Sequence, residues 1–217
     1  MGLSEAEILQ MFSEYAYSPA WLYGLIISFM VASSFGLPIP EEVTLVSAGL
    51  VCYMGSRPDI YPPPYEGAIA VNVYWTALVC FLAVLCSDFL VYSLGRNLGT
   101  RILEKKFFKK YEQSMDKVTG WTKKYGAWAA GVFRFTPGLR FPGHFACGSL
   151  GLSPAKFLAV DGTAALLSVP TQVFLVAFFG QAILENIKQF KIVLFVILAI
   201  LAIIWLGKRW YKKRAIV

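Results

Sequence analysis

Five stretches of the chain are apolar over membrane-like lengths, and two of them are interrupted in the middle. Residues 67–87, 157–179 and 190–207 are the most lipid-like runs. Each is close to the roughly 20 residues that an α-helix needs to cross a bilayer. Residues 20–54 and 126–150 are similarly apolar, but "GLPIPEE" (36–42) breaks the first and "FRFTPGLRFPG" (133–143) breaks the second. Proline lacks an N–H and clashes with the preceding turn, so neither stretch can run as one helix. Backbone released in this way survives at membrane depth only where protein or a water-filled cavity covers it. The pattern therefore predicts an all-α membrane protein with two broken helical segments.

Composition agrees. The chain has 217 residues, 57% of them hydrophobic and 15% charged, with a mean hydropathy of +0.59. Soluble domains are about 45–50% apolar and about a quarter charged, so a soluble enzyme or binding module is excluded. The first 18 residues, "MGLSEAEILQMFSEYAYS", are acidic and amphipathic, and Ser4 with Glu7 forms a capping box. They predict an interfacial helix over 1–18. They lack the basic start and apolar core of a signal peptide, so no cleavage is expected. The four cysteines, Cys52, Cys80, Cys86 and Cys147, lie in apolar segments without metal-ligand spacing. They read as small buried hydrophobes, and no metal or cofactor is expected.

Charge sets the expected topology. Residues 96–124 hold nine Lys/Arg against three acids, and "KRWYKKR" (208–214) adds five more. Residues 1–66 hold only Arg57 against seven acids. Short cytoplasmic segments collect Lys and Arg. The middle loop and the C-terminus are therefore expected inside, and the N-terminal third outside. One crossing over 68–95 fits. From the inside loop to the inside tail the chain has three apolar stretches, 126–150, 154–180 and 189–207, and only an even number of crossings satisfies the charges. The broken stretch 126–150 is then a re-entrant hairpin entering from the cytoplasm. By the same parity 20–54 is a second hairpin, entering from the opposite face. The segment 100–124 mixes bases with Phe, Tyr and Trp and predicts an amphipathic helix on the anionic inner leaflet. Nucleic acid is not an expected partner.

The two breaks can be set side by side: "PIPEEVTLVSAG" (38–49) and "PGLRFPGHFACG" (137–148). Both run twelve residues from Pro to a small residue plus Gly, and each precedes a further apolar crossing. With opposite entry directions this predicts an inverted-topology repeat, in which a site forms near the midplane from the broken elements of both halves. Pro38, Pro40, Pro137, Gly138, Gly49 and Gly148 are the expected hairpin-forming residues. Glu41 and Glu42 would then face Arg134 and Arg140.

These motifs resemble the DedA family, whose members share the VTT (SNARE-associated) domain. The first motif of that family is similar to "PIPEEVTLVSAG", with Glu42 in the family's Glu position and Glu41 where Gly is usual. "SDFLVYSLGRNLG" is similar to the second, through Asp88, Tyr92, Gly95, Arg96 and Gly99. "RFTPGLRFPGHFACG" is similar to the hallmark third, through Arg134, Pro137, Arg140 and Gly148, with Cys147 where Ala is usual. The resemblance covers roughly 20–190, so the expected organisation is a membrane domain over 19–190 followed by a transmembrane helix and basic tail over 189–217. It implies a lipid transporter of the bacterial cytoplasmic membrane, with undecaprenyl phosphate or a phospholipid such as phosphatidylethanolamine as cargo and proton coupling in some members.

Arg134 and Arg140 are the expected phosphate-binding residues. A charge inside a membrane is costly and is a functional hypothesis by default. A guanidinium stays charged and presents forked donors that suit phosphate oxygens. The competing structural reading is that both arginines pair with Glu42 and Asp88 to hold the hairpins together, and the two roles can alternate. Glu42, Asp88 and, less typically, Glu41 are the carboxylates that could carry a coupled proton, since burial and a neighbouring arginine act on a carboxyl in opposite directions. His144, Tyr92 and Arg96 are secondary. A lone histidine near a hairpin turn reads as structural or interfacial, and Arg96 as a snorkelling anchor. Expected partners are membrane lipids and protons, with a second copy of the chain left open. A proton-coupled small-solute or drug carrier is the alternative transporter. A lipid-phosphate enzyme would need a nucleophile or metal site, for which the motifs offer no residues.

Overall fold

The computed structural model describes residues 13–34, 40–98, 112–136 and 139–214, with side chains placed in these spans except over 112–116 and 185–214. The elements among the described residues are all helices, with no strand. In chain order the helices are α1 Pro19–Ser34, α2 Glu41–Gly55, α3 Val73–Leu98, α4 Glu112–Tyr125, α5 Trp128–Phe135, α6 Arg140–Ser149 and α7 Pro154–Arg214. Within α7, Phe179 leaves helical geometry (φ −104°, ψ 18°). The chain divides there into two units, 1–178 and 179–217. The second unit is helical as far as Arg214.

Both interrupted stretches break where the sequence predicts. The first becomes α1 and α2, and the second becomes α5 and α6. Pro40 sits in extended geometry (φ −61°, ψ 135°) directly before α2. Pro38, Pro137 and Gly138 lie outside the described residues, as do most of the expected interfacial segment 1–18 and the first part of 100–124. The two flanks of the first broken stretch meet. Val71 N–H donates to the Ala16 carbonyl at 2.8 Å, and the Tyr17 hydroxyl donates to the Tyr61 carbonyl at 2.7 Å.

Helix α3 starts at Val73, five residues later than the expected 68. The cause is Asn72. Its side-chain oxygen accepts from the N–H groups of Tyr74 (2.8 Å) and Trp75 (3.3 Å), satisfying donors that the first turn leaves free. α3 and the Pro154–Leu184 part of α7 are long and apolar enough to cross a bilayer. Both expose apolar side chains and bury polar ones beside an apolar core that includes Val84 and Val169. Leu78, Leu82 and Leu90 of α3 and Leu166, Leu167, Leu175 and Phe178 of α7 are exposed, while Thr76, Ser87 and Asp88 of α3 and Asp161 of α7 are buried. Exposed leucine rows of this kind suit lipid and not water.

The helices pack through a buried row on each. Leu22, Ile26, Met30 and Ser34, spaced four apart, turn α1 toward α3. α6 lies along α3 at backbone contact. A Cβ on Gly148 would fall 1.9 Å from the Tyr92 carbonyl oxygen, and one on Gly95 2.1 Å from that of Phe145. Glycines let membrane helices approach this closely. This corrects the role expected for Gly148 and Gly49. Both lie inside helices, at helix contacts and not at turns, and a Cβ on Gly49 would come 2.6 Å from Val176. α4 carries the expected amphipathic pattern: Val118 and Thr122 are buried while Trp121, Lys123 and Lys124 are exposed. Its inner face meets α5 and α6, around Phe133, Phe145, Cys147 and Phe157.

Candidate functional site

The two breaks and the two long helices converge on one buried cluster of charge. Glu41 is the first residue of α2, Asp88 lies in the second half of α3, Arg134 is in the last turn of α5, Arg140 begins α6, and Asp161 is two turns into α7. His144 is four residues beyond Arg140 on the same face of α6, and Ser168 is seven beyond Asp161 on the same face of α7. A carboxylate at the start of α2 and a cation at the end of α5 both suit the local helix dipole. Arg140 at the start of α6 opposes it and depends on its carboxylate partners.

Asp88 is the hub. It accepts from Arg140 through both Nε and Nη2, each at 2.8 Å, and from Arg134 Nη1 at 2.7 Å. Arg134 also reaches Glu41 Oε1 at 3.2 Å, Asp161 Oδ1 at 3.5 Å and the Ser168 hydroxyl at 3.5 Å. Arg140 Nη1 lies against Glu41 Oε2. His144 stands between two carboxylates, with Nδ1 3.3 Å from Asp88 and Nε2 3.4 Å from Asp161. Phe157 meets its ring edge-on with centroids 5.2 Å apart. The arginines differ in access. The side chain of Arg134 is 3% exposed and that of Arg140 is 19% exposed.

Each residue singled out in the sequence can now be placed. Arg134, Arg140, Asp88 and Glu41 come together. Glu42 does not. It is exposed, because one residue along a helix turns the side chain roughly 100°, and Glu41 takes the inward position. The motif position is therefore not the residue facing the arginines. His144, expected as structural or interfacial, is not interfacial: it is fully buried among the charges. Tyr92 and Arg96 form a separate latch. The Tyr92 hydroxyl donates to the Leu152 carbonyl, and Arg96 Nη1 donates to both, at 2.9 and 3.2 Å. This ties the end of α3 to the turn between α6 and α7, with the Tyr92 ring stacked on Phe157 at 4.5 Å. Asp161 and Ser168 were not singled out. The signal for Asp161 was present, a lone acid inside the apolar run 157–179.

Asp88, His144 and Asp161 bring one donor atom each within 4.8 Å of one another. The same carboxylates already carry two guanidiniums. Written as carboxylates, Glu41, Asp88 and Asp161 against Arg134 and Arg140 leave one negative charge. Chemically it can exchange one anion for another at the arginines and hold a single extra positive charge.

Residues 39–182 match the VTT domain. The chain is 32% identical over 171 residues to an uncharacterized membrane protein of Haemophilus influenzae, covering 77% of this chain and 72% of that one. It is 28% identical over 142 residues to the uncharacterized membrane protein YbfM of Bacillus subtilis, covering 64% of this chain and 74% of that one. No solved structure matches the chain. With the apolar spanning helices, the broken segments and the matched domain together, the chain belongs to the VTT-domain family of membrane proteins, the DedA family.

Proposed function

We propose that this protein moves a phosphate-bearing lipid between the leaflets of a bacterial cytoplasmic membrane, in the manner of a flippase or scramblase. The observation that carries the reading is the pair Arg134 and Arg140, largely enclosed among apolar helices on either side of a helix break. The fork of Arg140 that Asp88 now fills is the geometry that two non-bridging oxygens of a lipid phosphate would use. A phosphate that displaces Asp88 and Glu41 leaves both guanidiniums paired throughout the exchange, so neither is stranded as a bare buried charge. Such a charge would cost about 3–5 kcal/mol. The more open Arg140 would meet the head group first, while the lipid tails stay in the surrounding bilayer. Undecaprenyl phosphate and phospholipids such as phosphatidylethanolamine are the lipids to test.

In this reading both broken segments are re-entrant hairpins related as an inverted repeat, with the N-terminus outside and the C-terminus cytoplasmic. The meeting of residues 16 and 17 with 71 and 61 supports a segment that enters and leaves on one side. The convergence of both breaks on one cluster supports a shared site. The test is reconstitution into liposomes with leaflet-specific chemical detection of polyprenyl phosphate and aminophospholipids. Transbilayer movement should exceed that of protein-free liposomes and be lost in Arg140→Ala. Folded protein that accelerates no phosphate lipid refutes the proposal.

A further inference from the structure

His144 raises a hydrogen-bonding problem that the arginines do not solve. Its ring is fully buried, with a carboxylate oxygen 3.3 Å from Nδ1 and another 3.4 Å from Nε2. Neither ring nitrogen has a hydrogen-bond partner of good geometry, and Asp161 Oδ2 is equally buried and unpartnered. The charged groups around it come from five elements, while α4, which also packs on α6, turns Val118 and Thr122 inward and keeps Lys117, Lys123 and Lys124 exposed. α3 supplies Asp88. α5 supplies Arg134, which bridges Asp88 and Asp161. α7 supplies Asp161 and the edge of Phe157, and α6 itself supplies Arg140 one turn back. Glu41 of α2 reaches the ring only through the arginines.

A neutral imidazole has one N–H and one lone pair. Between two ionised carboxylates, one ring nitrogen must then set its lone pair against an oxygen lone pair. One additional proton removes the conflict in either of two positions. On Nε2 it makes an imidazolium that donates to both carboxylates. On Asp161 Oδ1 it makes a carboxylic acid that donates to Nε2. The same proton also cancels the single negative charge left by Glu41, Asp88 and Asp161 against Arg134 and Arg140. Two independent requirements, one of hydrogen bonding and one of charge, thus ask for the same proton.

We infer that the row Asp88–His144–Asp161 is a proton-binding site that holds one proton on the contact between His144 Nε2 and Asp161 Oδ1. Its consequence for transport rests on the proposed function. A phosphate that takes the guanidiniums away from Asp88 leaves the row short of positive charge, so substrate entry draws in a second proton from the aqueous side.

His144 is the chain's one histidine, so protein with ¹⁵N-labelled histidine and a histidine-free purification tag gives a single imidazole signal. In nanodiscs of zwitterionic lipid at pH 7 that signal should be an imidazolium. Failing that, the infrared spectrum should contain a carboxylic-acid carbonyl band that Asp161→Asn removes. In Asp161→Asn the amide can donate to Nε2 and the charges balance without the proton, so His144 should become neutral with Nδ1 protonated. A neutral imidazole in the parent protein with no carboxylic-acid band overturns the proposal. An imidazolium that persists unchanged in Asp161→Asn overturns it as well. The lipid reading is judged separately, by adding inorganic phosphate or phosphatidic acid and recording proton uptake with an indicator dye. A resting proton without such uptake keeps the site and refutes its coupling to phosphate.

Discussion

Replacing Arg140 by lysine separates recognition by a fork from recognition by charge alone. Arg140 gives Asp88 two parallel bonds of 2.8 Å and gives Glu41 a third contact from Nη1. An ammonium keeps the charge but is a compact point donor without the planar fork. It can replace one of the three contacts well and the others poorly. Hydrogen bonds to charged groups contribute about 1.5–3 kcal/mol each. Because the charge pairing survives, Arg140→Lys should destabilise by about 2–4 kcal/mol. For a chain of this size that corresponds to a fall in Tm of roughly 5–15 °C. The assay is thermal unfolding of the purified protein in detergent, beside lipid transport in liposomes measured well below the lowered Tm. Transport should fall at least about tenfold in protein that is still folded, since a fork mismatch of about 1.4 kcal/mol at the phosphate already gives that factor. Parental Tm together with parental transport would refute both the geometry at Asp88 and the role of the fork.

Three further outcomes follow from the same contacts. Glu41→Gln should weaken the cluster and lower transport, whereas Glu42→Gln should leave Tm and transport close to parental; the reverse order, read by the same two assays, would return the role to Glu42. Gly148→Val should prevent α6 from seating on α3, because even its Cβ falls 1.9 Å from a backbone oxygen, and should show as loss of monodisperse protein on size exclusion. Tyr92→Phe removes the hydroxyl shared by Leu152 and Arg96 and should cost about 1 kcal/mol of stability, measured by unfolding, without removing the charged cluster.

Much of the arrangement was legible in the chain. The breaks at "GLPIPEE" and "FRFTPGLRFPG" follow from proline chemistry, which is local, and they appear as the ends of α1 and α2 and of α5 and α6. Arg134 and Arg140 were legible because an arginine in an apolar stretch has few bland explanations. The start of α3 was misplaced because hydropathy sees Ala68 to Val71 as continuous with the helix, while the capping side chain of Asn72 decides where the first turn begins.

By itself the sequence determined that this is a helical membrane protein, where its helices break, and that charge is carried into the apolar region, because these depend on composition and on short-range backbone chemistry. Which groups face one another depended on the tertiary structure. One step along α2 exchanges Glu42 for Glu41, a rotation that a motif does not record. Asp161 lies 27 residues beyond Arg134 in the chain, and only packing brings it onto His144. The histidine's neighbours, the charge left over among them and the demand for a proton are properties of that meeting and of no single segment.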